Sequence, residues 1–331
     1  LRAVLSVAQI EAAMTGADIL RIRSDPKLWF QGFARFRDEE SRQAVRGKAN
    51  ILQRRVFEHY KRCQEAGKPC RIVVLKYRRA GSSTAASAVL YTHAQNHTSR
   101  LGAIGTDYRA ASNMLDMVKF FTEQDDFPGW TTTVRAGEAK KVAWEEWFRG
   151  QDLETVPLSE RIDRMITTRI EFSKDTTLEL YTAGNPESAR SAGLNGYHAT
   201  EVGRWPTGGA LDAAETLVSM RNTLPKRGFH VAIEESTANG SQGAFYDTCR
   251  RARWPDYDDY WKQWQSDWPL EEAEFGKDLQ FVIIFAAWFE DARHVETLTP
   301  EGAKRIEETL DGEAWYEGEK ELIERYGQDG P

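Results

Sequence analysis

From about residue 70 onward the chain alternates short apolar runs with longer amphipathic stretches. The runs near Ile72–Leu75, Leu101–Thr106, Arg169–Phe172, Leu178–Thr182, Leu194–Thr200, Phe229–Glu235 and Gln280–Trp288 are short and set off by polar stretches, which predicts strands. Helical spacing over Thr84–Gln95, Ala110–Glu123, Gly209–Asn222, Gln242–Arg253 and Pro300–Arg325 predicts the helices between and after them. Strands that alternate with helices build a mostly parallel sheet covered on both faces, so the expected class is α/β. Residues 1–66 carry helical periodicity with dense charge and read as a helical N-terminal segment, ahead of a core over 67–253. From Trp254 to Gly276 the chain is rich in Trp, Asp and Tyr without clear periodicity, so 254–331 is expected to link the core to a smaller lid containing FVIIFAAWF.

A chain of 331 residues with 40% hydrophobic content can bury a sizeable core. No apolar run approaches the roughly 18 residues that would cross a bilayer, and the N-terminus lacks the charged, apolar and small-residue succession of a signal peptide, so an intracellular protein without membrane attachment is expected. Cys63, Cys70 and Cys249 are odd in number and lack metal-ligand spacing in the sequence, which reads as reduced packing residues. The net charge of −7 excludes a uniformly basic surface but not a local nucleic-acid patch. Arg42, Arg46, Lys48, Arg54 and Arg55, and then Arg250, Arg251 and Arg253, form the two basic clusters, each expected on a solvated helix face.

The chemistry concentrates at strand ends. RIVVLKYRRAGSST, Arg71–Thr84, runs from a strand through a Gly-containing loop into a small-residue helix, where backbone N–H groups can bind phosphate oxygens. It overlays on G-x-x-x-x-G-K-[ST] with Lys76 in the first glycine slot, Ser82 in the lysine slot, and Ser83 keeping the hydroxyl that ligates Mg²⁺. Glu201 follows a moderately apolar run in ATEVGRW, and the strand FHVAIEE ends in Ser236, Thr237, Ala238, Asn239 and Gly240. In an open parallel sheet ligands bind outside the carboxyl ends of the strands, so the three can converge on one nucleotide.

In their order and spacing, K-x-R-x-x-G-x-S at Lys76–Ser83, the Glu-bearing strand at His198–Trp205 and S-T-A-N-G followed by an aromatic helix resemble the ATPase part of the large terminase subunit, the DNA-packaging motor of tailed bacteriophages. The resemblance covers most of the chain and implies a P-loop NTPase fold of the RecA-like (ASCE) kind, using ATP and Mg²⁺. It implies that Lys76 and the loop Arg79, Ala80, Gly81, Ser82, Ser83 and Thr84 hold the phosphates, that Ser83 and Thr200 serve the metal, and that Glu201 activates water. Arg78 matches the family's cis-acting arginine, whereas Arg79 stands where glutamine is usual. Gln53, in ILQRRVFEHY, resembles the adenine-contacting position, and Ser236–Asn239 the segment that couples hydrolysis to motion. Thr200 replaces the Asp that usually holds Mg²⁺, and a hydroxyl brings no charge, so weak Mg²⁺ binding is expected.

Arg190 lies before the Glu201 strand, and some six extended residues would set it roughly 20 Å from its own nucleotide, so it is expected to reach a neighbouring subunit's phosphate. The partners so implied are double-stranded DNA, a homo-oligomeric ring on the portal and the small terminase subunit, in the host cytoplasm. Endonuclease activity is expected only if a further C-terminal domain is present. The competing readings are a helicase-like ATPase, disfavoured because Thr200 and Glu201 run into Val202 and Gly203 instead of a DExx box, and a degenerate nucleotide-binding module without turnover.

Overall fold

The computed structural model describes residues 16–37, 43–125, 162–172, 175–185, 193–208, 212–255 and 280–286. The predicted helix Pro300–Arg325, most of the proposed lid and Arg190 lie outside the described residues. In chain order the elements are α1 Gly16–Ser24, α2 Pro26–Gly32, β1 Arg35–Arg37, β2 Ala44–Arg46, α3 Ile51–Ala66, β3 Cys70–Lys76, α4 Ser82–Asn96, β4 Arg100–Gly105 and α5 Tyr108–Gln124. There follow β5 Ile162–Met165, β6 Arg169–Phe172, β7 Thr176–Thr182, β8 Gly196–Thr200, a 3₁₀ turn Val202–Arg204, α6 Ala213–Thr223, β9 Val231–Thr237, α7 Ala244–Arg251 and β10 Val282–Phe285.

Eight strands form one sheet in the order β10-β3-β9-β8-β4-β7-β6-β5. The pairs from β10 to β7 are all parallel, and β6 and β5 add an antiparallel edge. Both faces are covered, as continuous apolar strands require. Ile72 and Val74 of β3 pack into the cluster beneath α2, α3, α4 and α5, while Val73 between them packs with Leu217, Met220 and Cys249 of α6 and α7. The fold is therefore α/β, with a mostly parallel sheet between helices.

The N-terminal helices join this core. Trp29 of α2 is fully buried, meets the Tyr91 ring at 4.8 Å and the Phe121 ring edge-on at 5.5 Å, and donates from Nε1 to Asp125 Oδ2 at 3.1 Å. The same oxygen takes the Tyr91 hydroxyl at 2.8 Å. Helix α3 starts on a capping box, Asn50 with Gln53, and stops at Gly67 in the left-handed region at φ 63°, where a side chain would be strained.

Several elements depart from the sequence expectation. The first 66 residues are not wholly helical: β1 and β2 pair antiparallel, and runs of three residues rich in arginine carry too little period to read as strands. The edge strand β5 also escaped notice. Strand β9 runs to Thr237, because Ser236 and Thr237 remain paired with Leu75 and Lys76 of β3; Glu235 is thus inside the strand and not at its end. Two cationic side chains are not on solvated faces: Arg55 donates to Phe285 O at 2.9 Å, and Arg253 Nε is buried. The cysteines are free and buried, but tertiary structure supplies what their spacing did not, bringing ligand atoms of His59, Cys63 and Cys70 within 4.8 Å of one another.

Buried neutral histidines make stability pH-dependent. Burial, and then the Arg71 guanidinium, lower the His230 pKa from 6.5 to about 4, and burial lowers that of His93, which sits between the Tyr60 hydroxyl at 3.0 Å and Ser99 at 3.1 Å. The unfolded chain takes up these protons before the folded chain does, so stability falls as pH drops from about 6.5 towards about 4. The urea midpoint should be lower near about pH 5 than near about pH 7; equal midpoints would contradict neutral burial.

Candidate active site

Strands β3, β9 and β8 lie side by side; the carboxyl ends of β3 and β8 carry Lys76 and Thr200 with Glu201, and Glu235 stands between them, inside the last paired residues of β9. The loop after β3 exposes Arg78 and Arg79, buries Ala80, and turns at Gly81 with φ 75°. The positive φ favours glycine here, and a Cβ would come within 2.7 Å of Gln53 Nε2 and displace that amide from the loop. Helix α4 then begins at Ser82 with no side-chain cap, leaving its first N–H groups for an anion. Helix α3 holds the loop from behind: Asn50 Nδ2 donates to Ala80 O at 2.8 Å and Gln53 Nε2 to Gly81 O at 3.1 Å. Gln53 also accepts from the Asn50 backbone N–H at 3.0 Å, so both ends of its amide serve the loop and its cap.

Lys76, although six residues ahead of the usual lysine slot, brings its ammonium back to that slot. Nζ lies 3.3 Å from Glu235 Oε2, the oxygen that also accepts from Ser82 Oγ, and 3.1 Å from Glu201 Oε1. Burial alone would lower the Lys76 pKa, but Glu235 and Glu201 hold it above the ordinary lysine range. Glu201 takes a left-handed backbone at φ 53°, uncommon for a residue with a Cβ and costing on the order of 1–3 kcal/mol. Trp205 Nε1 on Thr200 O at 2.9 Å closes the turn, and Arg204 Nε lies 3.5 Å from Glu201 Oε2. Arg79, at φ 60°, is the second residue of the site held this way.

The third motif touches the Glu201 turn. Asn239 Nδ2 donates to Gly203 O at 2.6 Å, and a Cβ on Gly203 would come within 2.9 Å of Ser236 Oγ. A cleft of about 630 Å³ opens between this turn and the start of α7, lined among others by Gly203, Trp205, Asn239 and Phe245. Its lining includes no residue of the phosphate-loop segment 76–84, so it is separate from the helix N-terminus where phosphates would lie.

Glu235 is the site residue the sequence reading missed. Its side chain has no exposure, and its two oxygens accept from Ser82, Ser83, Thr200 Oγ1 at 2.8 Å and His198 Nε2 at 3.1 Å besides pairing with Lys76. Burial pushes its carboxyl up, but Lys76, His198 and Ser82 outweigh this and hold it ionised, well below the usual carboxylate range. The available signal was a second acidic residue inside an otherwise apolar central strand, where an ionised group needs partners. Its neighbour Glu234 faces the other side of the sheet, fully buried against Arg221 and the Tyr197 hydroxyl.

The strand order and the glycine-turned loop opening α4 define a P-loop-type α/β fold. No protein-family model matches the sequence, and no curated protein matches it. Among the solved structures it resembles are large terminase proteins of bacteriophages. A variant of the large terminase ATPase domain from Thermus phage P74-26 is 16% identical with a TM-score of 0.44, covering 73% of this chain and 83% of that one. The same domain in another structure gives 17% and 0.40 over the same shares. The large terminase of a thermophilic bacteriophage gives 10% and 0.39, over 78% of this chain and 50% of that one.

Proposed function

We propose that this chain hydrolyses ATP as the motor of a large terminase, driving double-stranded viral DNA into a procapsid. The observation that carries the reading is the return of the Lys76 ammonium to the uncapped start of α4, within 3.1 Å of Glu201. An uncapped fifteen-residue helix, a loop glycine held at positive φ, and a lysine between two carboxylates fit a triphosphate with its cation.

In this reading the amides from Gly81 to Thr84 and Lys76 hold the phosphates, and Ser83 and Thr200 hold Mg²⁺, which supplies charge neutralisation when bound. Lys76 also gates the base. A phosphate at the α4 N-terminus competes with Glu201 for the ammonium, and Glu201, once released, can accept a proton from the attacking water. Arg78, exposed on the loop, would reach the phosphates in cis, with Arg79 beside it. Gln53 would meet the adenine only by giving up its bond to Gly81 O. Asn239, bonded to the Glu201 turn, would carry the loss of the γ-phosphate towards the residues after α7. Arg190 would complete a neighbour's site in a ring on the portal, with the small terminase subunit as a further partner and the host cytoplasm as the setting.

The test is Mg²⁺-dependent ATP hydrolysis by the chain across a range of protein concentrations, with and without DNA. Turnover that rises more steeply than in proportion to concentration is expected, because each site is completed by another subunit. Nucleotide binding without turnover under every condition would replace the motor by a docking module, a reading favoured by the two carboxylates that neutralise Lys76.

A further inference from the structure

A counter-ion for Lys76 needs one carboxylate oxygen, and Glu235 Oε2 provides it, shared with Ser82. The other oxygen, Oε1, is turned on Ser83 Oγ and Thr200 Oγ1, with His198 Nε2 completing its shell. These two hydroxyls are the ones assigned above to the cation. A hydroxyl has one proton and two lone pairs, and an ionised carboxylate only accepts. With each hydroxyl's O–H donating a hydrogen bond to Glu235, its lone pairs are left for a cation and its orientation is set. Partners of this kind, bonded to metal ligands from behind, fix ligand direction and raise ligand basicity.

The register explains how Glu235 comes to do this. Strands β8 and β9 are parallel, and Thr200 lies opposite Glu235, so a carboxylate on β9 reaches the space that an acid at position 200 would occupy on β8. The surroundings retain unused acceptor capacity: Glu201 Oε2 is buried without a hydrogen-bond donor and has only the longer contact with Arg204. Lys76 and the more exposed Arg204 offset the charges of Glu201 and Glu235, and Glu235 supplies one of the two negative charges beside the hydroxyls.

We infer that Glu235 is the carboxylate of the divalent-cation site, supplying from the neighbouring strand the negative charge that Thr200 lacks and orienting Ser83 and Thr200 on the metal. The inference rests on the nucleotide-hydrolysing reading and deepens it: the acid has changed strand, and it was not lost.

The experiment is Mn²⁺ titration of the protein with a non-hydrolysable ATP analogue, followed by electron paramagnetic resonance. In parallel, a fluorescent ATP analogue is titrated in chelator, and thermal unfolding checks the fold. Glu235→Gln keeps the shape and removes the charge. It should weaken Mn²⁺ binding about 10- to 100-fold, while metal-free nucleotide binds equally or more tightly because a negative charge has gone from beside the phosphates. Adding Thr200→Asp to Glu235→Gln should recover most of the lost Mn²⁺ affinity, which a role confined to packing the loop would not produce. Unchanged Mn²⁺ affinity in Glu235→Gln, with nucleotide still bound, overturns the assignment and leaves the hydrolase reading standing. Equal losses of Mn²⁺ and metal-free nucleotide would also overturn it, because they mark a collapsed loop. A wild-type chain that binds no nucleotide removes both.

Discussion

Glu201→Gln should lower ATP turnover by about 10²- to 10⁴-fold, the range for loss of a positioned general base, while nucleotide still binds. Glutamine preserves size and can still accept from Lys76, so the turn closed by Trp205 and the hydrogen bond from Asn239 to Gly203 should persist. What disappears is the one oxygen pair at the mouth of the loop that can take a proton from water. The Lys76 ammonium then loses one of its two carboxylates, and ATP should bind the variant at least as tightly as the wild type. Steady-state hydrolysis together with nucleotide titration measures both. Equal turnover in the two proteins would remove Glu201 from the chemistry. Equal losses in binding and turnover would show instead that Glu201 serves the loop's shape.

The second large effect is on stability. Arg221 of α6 forks onto Glu234 of β9, Nε to Oε1 at 2.9 Å and Nη2 to Oε2 at 2.6 Å, and the same Nη2 donates to Thr248 of α7 at 2.6 Å. Its guanidinium also lies over the Phe281 ring at 4.8 Å. One side chain thus ties two helices to the central strand. Arg221→Ala leaves Glu234 buried with the Tyr197 hydroxyl at 2.7 Å as its hydrogen-bond donor and the Arg71 guanidinium as a more distant charge. Removal of one partner from a buried pair costs about 3–5 kcal/mol, and urea unfolding should show a loss of that size. Replacing both groups with apolar residues, Arg221→Met with Glu234→Leu, should return most of it, because the penalty comes from the stranded charge. A loss under about 1 kcal/mol in Arg221→Ala would mean that water reaches Glu234.

Glu234 and Glu235 are adjacent in sequence, and alternation sends them to opposite faces of β9, one to a structural clamp and one to the phosphate loop. That division was not legible in FHVAIEES, where both acids sit at the end of an apparent strand. The positions of β3, β4, β8 and β9 were legible to within a few residues, because central parallel strands are apolar on both faces and stand out against amphipathic helices. The short arginine-rich pair β1 and β2 was not, since three residues cannot display a period.

Local sequence determined the elements and the local chemistry: a strand running into Gly81, a hydroxyl at Ser83, an acid at Glu201 after a strand, and a small-residue segment from Ser236. These follow from interactions within a few residues, namely strand alternation, glycine's access to positive φ and the uncapped start of a helix. Tertiary structure decided which distant groups share an atom. The order β3-β9-β8 puts Glu235 between Lys76 and Thr200, and the register sets Thr200 opposite Glu235. Parallel neighbours are joined by long crossovers, so no local period encodes which strand lies beside which. The carboxylate on which Lys76, Ser82, Ser83, Thr200 and His198 all converge exists only once the sheet is assembled.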